Sequence, residues 1–261
     1  MTINNIARNE MSPAMTRIAS GRRINTAADD AAGLAIVETM TAQIRGLDQG
    51  TRNTMDMQAL TRTAEGGLEG IADGLNRIRE LSVQAMNDTN TPENREMIQQ
   101  EMYQLATEIS DSVSRVQFNT REVLNSDAEL HTASSADGSG ATVNISNMTS
   151  LAQAITNFAT SGTPGVVDLD AVDGLLNEVN AERANLGALQ NRFDHTVASN
   201  TITSLNMADS RSRIQDADIA REMMAFTQER VIYDMQLLMQ QAQQEREERE
   251  GTAVIAGARG A

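Results

Sequence analysis

Side-chain catalysis needs a nucleophile, a general base or a metal cage, and this chain of 261 residues offers little of any of them. Cysteine is absent, which removes a thiolate, a disulfide framework and every Cys-based metal site. The only histidines are His131 and His195, and neither belongs to a His-Glu-x-x-His pair that would grip zinc from one helix face. No glycine-rich loop followed by Lys is present to cradle a phosphate. Asp and Glu together number 36, yet no stretch has the ligand spacing of an EF-hand loop, so the carboxylates read as a solvated face. The chain is therefore read as a non-enzyme without cofactor or metal, and its chemistry is sought in binding.

Charge narrows the partners. With 21 basic residues against 36 acidic ones the formal net charge is -15, the wrong sign for a phosphate backbone, so nucleic acid is excluded and protein partners are expected. Like subunits of this charge repel one another at low salt. Nowhere do about 18 apolar residues run together as a membrane span requires. The start, Met1-Thr2-Ile3-Asn4-Asn5-Ile6, lacks the basic and apolar blocks of a cleaved secretory signal, so any export is expected to use an uncleaved route.

The residues best suited to binding lie toward the end of the chain. Ile219, Met223, Phe226, Tyr233 and Leu237 recur at helical spacing and predict an amphipathic helix awaiting a partner. An isolated helix is marginal in water, so residues 1 to about 20 and about 219 to 261 are expected to become ordered only on association. Farther forward, Arg77 and Glu80 can pair across one helical turn.

These residues need a frame, and the composition suits long helices: aromatics are 2% of the chain, prolines number 3, and methionines number 15. Thr26-Ala27-Ala28-Asp29 reads as an N-cap with an acid three residues on, which predicts a helix starting there. Leu60, Ala64, Leu68, Ile71, Leu75, Ile78 and Leu81 step by threes and fours, the seam of a coiled coil. A proline-free run to about Asp88 would reach ~90 Å at the rise of an α-helix. Thr91 and Pro92 open a second helix whose stripe is Ile98, Met102, Leu105, Ile109, Val113 and Val116, folding back as an antiparallel hairpin. Val172, Val179, Leu186 and Phe193 repeat every seven residues on a third helix, capped by Asp168 or Asp170. Between them, Glu129 to Thr132 and Thr142 to Met148 flank Ala136-Asp137-Gly138-Ser139-Gly140 and predict a β-hairpin, followed by a short helix capped by Ser150 and ending near Phe158. The fold class is mainly α: an elongated antiparallel helical coiled-coil bundle built from both chain ends, with a small β-hairpin region.

Two blocks carry a more specific signal. The stretch from Ile18 to Ile36, which contains Ser20-Gly21-Arg22-Arg23 and Asp29-Asp30-Ala31-Ala32-Gly33, resembles the N-terminal signature of bacterial flagellins. Val179 to Asp194, with its Gln190-Asn191-Arg192-Phe193-Asp194, and Ser210 to Asp218 resemble the C-terminal one. The resemblance covers residues 18 to 125 and 168 to 225 and implies the flagellin core. The related hook-filament junction protein usually has a proline after the paired aspartates and lacks the Gln-Asn-Arg-Phe-Asp block.

By this resemblance residues 1–25 are an N-terminal inner-core segment, residues 26–218 an outer-core rod with a hairpin at 120–150 and a linker at 159–168, and residues 219–261 a C-terminal inner-core helix and charged tail. It implies a self-assembling subunit of the extracellular flagellar filament, used for swimming and secreted by the flagellar export apparatus. Its partners would be other flagellin subunits, the export chaperone, and the filament cap and hook-junction proteins. Arg77, Leu81 and Glu101 match the family's contact positions for a vertebrate Toll-like receptor. Ile219, Met223, Phe226, Tyr233 and Leu237 would face the chaperone and then neighbouring subunits. The alternative is a minor or hook-junction-type component, or a non-polymerising paralogue acting as a coiled-coil interaction protein. The chain departs from the family where Pro13 would shorten or break the N-terminal helix and where Glu245 to Glu250 replaces an apolar ending.

Overall fold

The computed structural model describes residues 13–125, 128–161 and 168–258. In chain order these form α1 over 13–20, α2 (Ala31–Ala85), α3 (Pro92–Arg115), β1 (Gln117–Phe118), β2 (Arg121–Glu122), β3 (Ala128–Ala133), β4 (Gly140–Ile145), α4 (Thr149–Ser161), α5 (Leu169–Gln215) and α6 (Ile219–Ala258). Two compact units result, one of 43–205 and one of 1–42 with 206–261. The segment boundaries expected at 25/26 and 218/219 both fall within the second of these. Of the expected inner-core segment and linker, residues 1–12 and 162–167 lie outside the described residues.

The 43–205 unit is closed by its own seams. Leu60, Ala64, Leu68, Ile71, Leu75, Ile78 and Leu81 of α2 are all buried, as are Val172, Val179, Leu186 and Phe193 of α5. On α3 the buried face is Ile98, Met102, Ala106, Ile109 and Val113, with Leu105 and Val116 only partly covered. Polar pairs along the flanks set an antiparallel register between α2 and α5: Arg79 with Asp173 at 2.6 Å, Gln190 with Glu65 at 2.6 Å, Gln58 with Asp194 at 2.7 Å and Ser204 with Asp48 at 3.0 Å. Thr91 caps α3 by accepting from the Asn94 amide, and Pro92 takes the first helical position, where a missing donor costs nothing. Asp168 caps α5, accepting from the amides of Asp170 and Ala171.

The hairpin forms in the expected place, with His131 opposite Thr142 and Leu130 opposite Val143. Ala141, Val143 and Ile145 alternate inward and join the core. Its tip rests on α2 because Gly46 and Gly50 leave room there: a Cβ at Gly50 would come within 2.3 Å of the Ser134 carbonyl oxygen, and one at Gly46 within 2.9 Å of Ala136. The amides of Asn53 and Asn200 donate to the carbonyls of Ala133 and Ser134, fastening the same point from α2 and α5. Buried Glu182 accepts from both the amide and the hydroxyl of Ser146 and anchors the far end of β4.

Three local expectations change. The first long helix begins at Ala31 and not at Thr26, because the Asp29 carboxylate is already engaged by the amides of Asn25 and Thr26 and by the Thr26 hydroxyl. Asp30 is the cap, accepting from the Gly33 amide at 2.8 Å. The short helix starts at Thr149, whose amide is taken by the Asn147 side chain, so Asn147 replaces Ser150 as the N-terminal partner. A second, two-residue hairpin, β1 with β2, was not anticipated. Asn119 and Thr120 both have positive φ, at 50° and 65°, the backbone of a tight primed turn.

In the other unit the two signature blocks meet. Gly21, with φ +67°, turns the chain so that residues 21–24 run beside the end of α5. The Arg23 amide donates to the Gln215 carbonyl, the Arg23 guanidinium to that of Ile214, and the Ala217 amide to that of Gly21. Ile24 is buried there, and it explains Gly33: a Cβ at 33 would lie 2.9 Å from the Ile24 side chain and 2.4 Å from the Asp30 carboxylate.

Candidate assembly and recognition surfaces

Helix α6 is started by Asp218, whose side chain accepts from the Arg221 amide and whose carbonyl accepts from that of Glu222. Glu222 pairs with Arg17 of α1 at 3.3 Å. Along α6 the half-buried residues are Glu222, Phe226, Glu229, Tyr233, Gln236, Leu237 and Gln240, which at 100° per residue fall on one stripe. Met224, Val231, Met235, Leu238 and Met239 fall on the opposite side of the helix and stand exposed, up to 70% at Met239. An open groove on this side is lined by Met223, Met224, Thr227, Gln228, Val231 and Ile232.

The residues expected to make a single partnerless stripe are thus covered unequally. Phe226, Tyr233 and Leu237 are half-buried, while Ile219, on the same side as Leu237 about five turns earlier, and Met223, on the flank, remain exposed. The second apolar face escaped the periodicity argument because two opposed stripes cancel each other's asymmetry around the helix. Within the half-buried stripe Glu229 Oε2 and Gln236 Oε1 are shielded from solvent with no hydrogen-bond partner among the described residues. Such groups are costly until a donor arrives.

At the other candidate surface, Arg77 of α2 reaches Glu101 of α3 at 2.9 Å and Glu80 of its own helix at 3.0 Å. These acceptors, Glu101 foremost, raise the guanidinium's affinity for its proton. Arg77 and Glu101 are thus brought together on the surface, and both are about half exposed. Leu81 is not with them: it is 1% exposed and belongs to the helical core. Nearby, Arg79 holds the Asp173 carboxyl below its ordinary range through a hydrogen bond.

His131 lies on β3 beside Thr132 in a cleft lined also by Asn53, Asp56 and Phe118, whereas His195 is on the exposed side of α5. Among the described residues no three His, Asp or Glu side chains converge as metal ligands, and no helix is long and apolar enough to cross a membrane.

Comparison with known proteins matches this arrangement of two helical ends. Residues 1–129 fit the family model described as the bacterial flagellin N-terminal helical region, and residues 169–247 fit the bacterial flagellin C-terminal helical region. The chain is 39% identical over 243 residues to flagellin of Halalkalibacterium halodurans, covering 91% of this chain and 89% of that protein. It is 35% identical over 285 residues to Bacillus subtilis flagellin, covering 94% and 93%. A flagellar filament 33 kDa core protein of Treponema phagedenis is 34% identical over 237 residues, covering 84% and 83%. With both helical ends matched in order and relatives aligned along nearly their whole length, the chain belongs to the bacterial flagellin family.

Proposed function

We infer that this chain is a structural subunit of the extracellular bacterial flagellar filament and that self-association is its activity. The observation that carries the reading is α6, a helix with apolar residues on opposed faces, one of them open to solvent. Apolar side chains left in water on one side of a helix favour its being covered. Each large aliphatic side chain withdrawn from water contributes roughly 1.5–3 kcal/mol, so a handful on α6 suffices to offset ordering and charge repulsion. One surface of each copy meets a different surface of the next, and a rotation that does not close yields an open helical array. Relatives named as flagellins and filament core proteins favour this reading over a junction-type component or a non-polymerising adaptor.

Before assembly the same α6 face is the natural hold for an export chaperone, and the chain leaves the cell through the flagellar export apparatus. Filament cap and hook-junction proteins meet it at the ends of the polymer. The Arg77–Glu101 pair is the accessible part of a Toll-like receptor contact, with Leu81 holding its helix in place from beneath.

Sedimentation and electron microscopy across a salt series test the main reading. Raising ionic strength from 0.1 M shortens the Debye length below ~10 Å and screens the net charge of -15, so polymer increases with salt. A population that stays monomeric at high protein and high salt overturns it.

A further inference from the structure

The exposed face of α6 is rich in sulfur. Met223, Met224, Met235 and Met239 are 49%, 67%, 62% and 70% exposed on one helix; in the 43–205 unit Met55, Met86 and Met97 are exposed as well, at 49%, 49% and 61%, while Met102 and Met148 are buried at 5% and 0%. Met224, Met235 and Met239 lie along the side of the helix opposite its half-buried stripe, and Met223 lines the groove beside them. A thioether is apolar and packs adaptably, but its sulfur lone pair is a two-electron reductant. The chain has no cysteine to intercept an oxidant first.

We propose that Met223, Met224, Met235 and Met239 form a reversible oxidation site on which assembly depends: sulfoxidation of the free chain by a peroxide makes this face polar and withholds the subunit from the polymer. The sulfur of each attacks one peroxide oxygen; the S–O bond forms as the O–O bond breaks, and the departing hydroxide takes up a proton and leaves as water. Sulfur loses two electrons and the peroxide gains them. The product is a sulfoxide, a strong dipole and hydrogen-bond acceptor in place of an apolar atom, and it resists transfer into a dry interface. Oxidation and burial compete for the same four side chains, so the free subunit is vulnerable and the assembled one is shielded.

The proposal rests on the assembly reading, and the experiment separates the two. Full-length chain is treated with graded hydrogen peroxide, mapped by peptide mass spectrometry, checked by circular dichroism, and then assembled at high salt. The four α6 methionines gain oxygen on the order of tenfold faster than Met102 and Met148. The treated chain keeps its helicity, and its critical concentration for assembly rises by about tenfold or more. The M223L/M224L/M235L/M239L variant keeps the face apolar but cannot be oxidised there, so its critical concentration, whatever its untreated value, changes by less than about twofold after the same dose, and methionine sulfoxide reductase with a thiol reductant restores the oxidised wild type. Untreated chain that never polymerises overturns the assembly reading and this proposal with it. Untreated chain that polymerises, with equal loss on oxidation in wild type and leucine variant, overturns this proposal alone. So does an oxidised face with unchanged assembly.

Discussion

The 43–205 unit and helix α6 are built from the same kinds of residue and finish in opposite conditions. In the unit, α2, α3 and α5 each carry one apolar seam, and each seam is enclosed by the same chain. In α6 the apolar residues occupy two sides, and the described residues cover only one of them, in part. The first arrangement is complete as a monomer. The second leaves a face open among the described residues, and on the assembly reading another molecule completes it, which places stability in one region and association in the other.

The sharpest way to break that contrast is to delete residues 219–261. Polymerisation disappears altogether, while thermal unfolding of the 43–205 unit moves little, because none of its core residues belongs to α6. Scanning calorimetry with sedimentation measures both. A large drop in the unit's unfolding temperature would show that the two regions share their stability.

The next effect separates Leu81 from Arg77. Leu81→Ala leaves a cavity in the helical core and lowers unfolding free energy by about 2–5 kcal/mol. Arg77→Ala leaves the fold intact, releases Glu101, and reduces Toll-like receptor signalling in reporter cells by about tenfold. Denaturant titration and the reporter assay together decide it. If Leu81→Ala lowers signalling without loss of stability, Leu81 touches the receptor itself.

The smallest effect is on the turn that precedes α2. Hydrogen bonds from the Thr26 and Asn25 amides hold the Asp29 carboxyl below its ordinary range. A depressed folded-state value means that this group's stabilisation is complete above about pH 4, its unfolded value, and is lost as pH falls through the folded one. Protection of the Asn25 and Thr26 amides, their exchange referred to the intrinsic rate at each pH, falls in acid, and Asp29→Asn removes that fall. Unchanged protection in the wild type across this window would deny the carboxylate its role.

The same contrast explains what the sequence reveals. A single stripe per helix is legible, and every position of the α2 seam and of the α5 heptad is buried as its spacing requires. Caps made by one side chain were legible too, at Thr91 and Asp168. The start of α2 was misread because Asp29 and Asp30 are adjacent acids with different tasks, one reaching back to the turn and one forward to the helix. The β1–β2 turn left a faint trace: Asn119 suits positive φ, but Thr120 does not, so composition argued against it. Leu81 was assigned to a contact by likeness to the family, although its own periodicity had already placed it in the seam.

Gly46 and Gly50 determine where this architecture can grow. With Ser134 and Ala136 seated on bare helix backbone and Asn53 and Asn200 gripping the strand ends, the base of the turn has a fixed address. Beyond it, Asp137, Gly138 and Ser139 stand clear in solvent, held by bonds within the turn: the Ser139 amide and hydroxyl donate to the Asp137 carboxylate, the Gly138 amide donates to the Ser135 carbonyl, and the Ser139 carbonyl accepts from the Ser134 and Ser135 amides. Extra sequence inserted between 137 and 139 projects outward as a longer hairpin and leaves its footing on α2 undisturbed. Sequence inserted within 128–133 shifts the register and exchanges the inward and outward faces of the strand. The glycine pair thus makes one short turn the port through which a chain of this kind can gain decoration without redesigning its helices.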